Sequence, residues 1–72
     1  MANLDKQTLY EYIAVWHPTT DQAKEGQKSK IVLPLTHMLA REEKAVFMNV
    51  VKILPVEYND SLDQIDIIIR SF

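Results

Sequence analysis

Apolar residues recur at two spacings along this chain, and the change of spacing marks its elements. From Leu9 to His17 every second residue shares a face. Tyr10, Tyr12, Ala14 and Trp16 form one side, and Leu9, Ile13 and Val15 form the other together with Glu11 and His17. Both sides are apolar, which predicts a central strand or one covered by a partner, and Pro18 ends it. Lys30 to Leu35, extending as far as His37, predicts a second strand with Ile31, Leu33 and Leu35 on one side. Pro34 cannot donate to a ladder, so this strand is expected at an edge or with a bulge. Between the two lies a loop, Pro18 to Ser29, longer than most hairpin connections and of a length often used for binding.

From Ala40 or Arg41 to Leu54 the spacing becomes helical. Val46, Phe47, Val50, Val51 and Leu54 fall on one stripe, while Arg41, Lys44, Met48 and Lys52 face away. Glu42 and Glu43 suit the first turn and Lys52 the last, where the helix dipole favours those signs. Pro55 stops the run. After an acidic connection, Gln64 to Arg70 predicts a third strand, with Ile65, Ile67 and Ile69 inward and Asp66, Ile68 and Arg70 outward. The expected fold is α+β, in the order β-β-α-β, with one helix packed on a three-stranded sheet. It is a single domain, residues 1–72, with residues 1–8 polar and frayed. The first two strands are expected to form an antiparallel hairpin. The alternation leaves open which sheet face the helix covers. The uncovered face keeps Ile68, one set from the first strand, and Val32.

Size and composition sharpen this picture. Seventy-two residues bury only roughly 60% of their unfolded surface, so the core is thin. Folds this small usually need a staple, and without cysteine there is no disulfide or thiolate metal site. Oligomerisation or docking on a partner therefore becomes a serious candidate. The formal net charge is −2, from eight Lys and Arg against ten Asp and Glu, which argues against a nucleic-acid binder. The N-terminus lacks an apolar signal region, and apolar runs such as Ile67–Ile69 are far too short to span a bilayer. The expectation is a soluble protein made in the cytoplasm.

Candidate chemistry is sparse. His17 and His37 could form a two-histidine site with Glu11 or Asp66, but no spacing matches a metal motif. Glu57, Asp60, Asp63 and Asp66 recur every three residues. They form either a solvated turn or an acidic patch for a basic partner. A calcium loop needs alternating ligands and a glycine that are not there. With one glycine, Gly26, no phosphate loop is possible, and Ser29, Ser61 and Ser71 have no nucleophile motif. No catalytic set, cofactor site or metal site is expected. Tyr10, Tyr12 and Trp16 are aromatic candidates for an interface hot spot, or else pack beneath the helix. The candidate interface residues are thus Tyr10, Tyr12, Trp16, Ile68, Glu57, Asp60 and Asp63.

The segments Leu39–Ala45, Ile53–Tyr58, Leu62–Asp66 and Ile69–Phe72, with the opening Tyr12–Pro18, resemble small proteins of unassigned function encoded by tailed bacteriophages. The resemblance covers about two thirds of the chain and spares the 19–30 loop. It implies a viral context, in the host cytoplasm or the virion, and no active site. A short phage inhibitor of host RNA polymerase is similar in element order alone, and fold does not imply function. The expected function is a non-catalytic protein–protein interaction, with self, a virion component or a host enzyme as partner, through an open sheet face or edge. The alternative is an oligomeric small-ligand or nucleotide-binding protein with a pocket between subunits.

Overall fold

A computed structural model describes residues 6–71. Most of the expected frayed segment, residues 1–5, lies outside them, but Thr8 already belongs to a strand. The elements follow as β1 (Thr8–Trp16), α1 (Thr20–Lys24), β2 (Lys30–Ala40), α2 (Glu43–Ile53), a 3-10 helix (Val56–Gln64) and β3 (Ile65–Ser71). The sheet has three antiparallel strands in the order β2-β1-β3. The α+β class and the antiparallel β1–β2 pair are as expected. The expected single helix is corrected, since the loop and the acidic connection each contain a helical segment. Their causes are local. Thr19 caps α1: Gln22 N–H donates to its hydroxyl at 3.2 Å, and Gln22 Oε1 accepts from Thr19 N–H at 2.9 Å. In the connection, Ser61 leaves helical geometry and divides the 3-10 helix into two short turns.

The strand β1 is central, as its two apolar sides require. The helix α2 packs on the side of Tyr10, Tyr12 and Ala14. There Tyr12, Ala14, Ala40, Val46, Val50 and Leu54 form the core, with Met38, Leu33, Ile65, Ile67 and Ile69 packed around it. Ala14 and Ala40 are small, which lets the helix approach the sheet at Val46 and Val50, its two fully buried side chains. The helix begins at Glu43, later than expected, and its end at Ile53 precedes Pro55.

The strand β2 is an edge and is also irregular. Its register against β1 shifts between Tyr12 and Ala14 and again between Ala14 and Val15. Tyr12 pairs with Thr36, Ala14 with Leu33 and Val15 with Ile31. Pro34 lies in this stretch, as its missing donor demands. Each extra residue reverses which way the following side chains point. The expected row Ile31, Leu33, Leu35 is therefore broken: Leu33 joins the core, while Ile31 and Leu35 are exposed. Val32, expected on the open face, instead packs against the core. Beyond the shifts the strand continues to Ala40, past the expected end at His37.

Candidate functional site

The sheet face opposite α2 is not covered by that helix. Pairing places Leu9, Glu11, Ile13 and Val15 of β1 on it, with Leu39, His37, Leu35 and Ile31 from β2 and Arg70, Ile68 and Asp66 from β3. Leu9, Ile31, Leu35, Leu39 and Ile68 are exposed, Ile31 to 63% and Leu35 to 56%. Five large aliphatic groups on one sheet face exceed the scattered apolar exposure of an ordinary surface.

At the middle of this face lies one carboxylate. Glu11 is 6% exposed and is the one buried charged residue among those described. It sits opposite His37 on one neighbouring strand and Arg70 on the other. Arg70 Nε donates to Glu11 Oε2, and His37 Nε2 lies 3.4 Å from Oε1. The three residues thus form a polar row across the sheet, with the carboxylate in the centre. Ile13, Leu35 and Ile68 line a hollow of about 220 Å3 with Glu11 and Arg70. A buried carboxylate needs such partners, because an unpaired one would cost several kcal/mol. No buried polar side-chain atom among the described residues lacks a partner.

The second histidine sits apart from this row. His17 Nε2 is 3.7 Å from Asp66, and His17 Nδ1 is 2.7 Å from Ser29 Oγ. His37 serves Glu11 and His17 serves Asp66, so the histidines do not converge. They lie about 20 Å apart along the strands, at roughly 3.3 Å per residue over six residues. No group of three metal-ligating side chains occurs among the described residues. Gln64 ties the loop to the sheet end: its Nε2 donates to His17 C=O at 2.9 Å and to Gln22 Oε1 at 2.8 Å. Gln64→Ala should therefore loosen α1 selectively. Hydrogen exchange should speed up over residues 19–27 and stay unchanged in β1 and α2; equal protection in both proteins would refute the tie.

Of the candidate interface residues, Tyr12 and Trp16 are buried on the helix side, and Tyr10 packs against the same core. The aromatic set is therefore not an outward surface, and that expectation is corrected. Trp16 is covered instead by Lys30 Nζ, 5.1 Å from its ring centre and 5.9 Å from that of Tyr58. Ile68 is on the open face as expected. Glu57 and Asp60 are exposed on the 3-10 helix, and Asp63 borders a cleft of about 450 Å3 with His17, Gln64 and Asp66. These acids do not adjoin the Glu11 row. Sequence reasoning passed over Leu35, Leu39 and Arg70 as interface residues. The signal for Arg70 was available, since it and Glu11 are opposite charges on outward positions of two strands.

Comparison with known protein families, curated sequences and solved structures returned no match. No helix among the described residues is long and apolar enough to cross a membrane.

Proposed function

We propose that this chain is a non-catalytic protein-interaction module that docks on a larger protein through its open sheet face. The observation behind this reading is the exposed set Leu9, Ile31, Leu35, Leu39 and Ile68 around the paired Glu11. An apolar field with a polar centre suits docking, because the aliphatic groups supply area and the charges fix orientation. The framework behind it, a three-stranded sheet with α2 packed on one face, serves as scaffold. In keeping with the resemblance to phage-encoded proteins, the partner is a virion component or a host enzyme, met in the host cytoplasm or in the particle.

Leu35→Asp tests this reading. Leu35 is more than half exposed but borders the Glu11 hollow, so the substitution should cost about 1 kcal/mol and leave the chain folded. The unaltered chain should be present stoichiometrically in purified particles or should retain one host protein when immobilised. Leu35→Asp should lose that partner by about tenfold or more. Equal retention by both, or no partner for either, would overturn the docking reading.

A further inference from the structure

We propose that the free edge of β3 is a homotypic docking edge. Two copies of this chain pair their β3 strands antiparallel about a two-fold axis at Ile68, joining both sheets into one. The inference rests on the interaction reading above and assigns a partner to a second surface, the edge.

The two edges of the sheet are built differently. The β2 edge carries Pro34 and two register shifts. The β3 edge runs from Ile65 to Ser71 in unbroken register against β1. It contains no proline, glycine or lysine, and Ile67, Ile68 and Ile69 are consecutive. Proteins usually blunt an edge that must stay alone, so an unblunted one is a pairing template.

The hydrogen-bonding groups restrict how two such edges can meet. His17 N–H donates to Gln64 C=O at 2.8 Å, which turns the even-numbered residues of β3 toward β1. By alternation Ile67, Ile69 and Ser71 turn their N–H and C=O toward the free edge, and Ile65 its C=O alone, since Ile65 N–H donates to Leu62 C=O. Antiparallel self-pairing must match these residues with one another, so the axis falls on Ile67, Ile68 or Ile69. An axis at Ile68 sets Ile65 opposite the second copy's Ser71 and Ile67 opposite its Ile69. The overlap then runs from Ile65 to Ser71, with the Ile65–Ser71 pair joined through Ser71 N–H and Ile65 C=O.

Charge selects the same register. With the axis at Ile68, Asp66 lies opposite the second copy's Arg70, and the contact occurs twice. An axis at Ile67 sets Asp66 opposite Ile68, and one at Ile69 sets Arg70 opposite Ile68. Both charged side chains are available, that of Asp66 being 56% exposed and that of Arg70 76%. Arg70 engages Glu11 through Nε, and a guanidinium carries five donors, so it can serve both carboxylates. The longest overlap and charge complementarity thus agree on one register.

The helix side fits as well. A groove of about 570 Å3 lies between α2 and β3, lined by Glu43, Lys44, Phe47, Ile67, Ile68 and Ile69. Antiparallel pairing of edges keeps both helices on one side of the joined sheet. Phe47, exposed in a single copy, would then face its counterpart above the paired isoleucines. The pairing also supplies the missing staple of a small domain without disulfides.

Cysteine scanning tests the edge and its register, because the unaltered chain has no cysteine. Opposed residues of a non-hydrogen-bonded pair lie about 4.5 Å apart at Cα, within disulfide range. Ile68→Cys should therefore form a covalent dimer under mild oxidation faster than Ile67→Cys, Ile69→Cys or Leu35→Cys. By sedimentation equilibrium the unaltered chain should have twice its 8.4 kDa mass. Asp66→Arg should weaken the dimer about tenfold, with part of the loss recovered as salt rises. Trp16 emission would confirm that each variant is folded. A monomer at concentrations up to about 1 mM, or faster cross-linking at 67, 69 or 35, would overturn the inference. A monomer that still retains a partner through Leu35 overturns the edge pairing alone. A dimer that retains no partner overturns the docking reading alone.

Discussion

Val50→Asp is expected to leave the chain largely unfolded at room temperature. Val50 is fully buried between α2 and the sheet, in the cluster of Tyr12, Ala14, Val46 and Leu54. Aspartate there removes apolar contact and places a carboxylate among aliphatic and aromatic groups. The cost of an unpaired buried charge is about 4 kcal/mol or more. A domain of this length has a total stability of about 4–11 kcal/mol. The substitution therefore removes a large part or all of it. The single tryptophan, Trp16, is buried and gives a direct readout by its emission. Met48→Asp is the matched control, since Met48 is exposed on the outer side of the same helix. It should melt close to the unaltered chain. Near-normal melting of Val50→Asp would show that this helix stripe does not form the core.

The second large effect is expected at Arg70. Its guanidinium covers Glu11, whose own side chain is 7% exposed. Arg70→Ala removes the charged donor and leaves the carboxylate with His37. Glu11 cannot simply swing into water, because Ile13, Leu35 and Ile68 surround it. The expected loss is about 1–3 kcal/mol, less than for a fully enclosed pair because deletion of Arg70 admits water. For a chain of this size that lowers the melting temperature by roughly 4–24 °C. The double substitution Glu11→Leu with Arg70→Leu should recover most of the stability, since an apolar pair needs no compensation. It should also make the open face stickier and the protein less soluble. If Arg70→Ala melts like the unaltered chain, the row His37, Glu11, Arg70 contributes nothing to stability.

The two elements with long periodic patterns, β1 and α2, could be read from the chain because burial imposes their period directly. The choice of sheet face could not be read from alternation, since Tyr10, Tyr12, Ala14 and Trp16 are as apolar as Leu9, Ile13 and Val15. Two local facts decide it in the structure. Ala14 and Ala40 leave room for the helix on one side. On the other side Glu11, His37 and Arg70 would all have been buried beneath α2, taking their charged and polar groups out of water. The irregularity of β2 hid the true partners of the open face. Pro34 signalled a bulge, but the number of extra residues depends on how the strand settles against β1. The helix α1 carried its own signal, Thr19 followed by Gln22 three residues later, a capping pair whose significance is lost when the segment is taken as loop.

The bulged edge of β2 has a consequence for how far association can go. If β3 edges join, each outer boundary of the joined sheet is a β2 strand interrupted at Pro34. Such a boundary does not template a further strand, so growth ends at two copies and no filament follows. Raising the concentration would then saturate a discrete species, and a steady lengthening of the particles would not occur. A proline that distorts one side of a small sheet would thereby set the number of chains at the other.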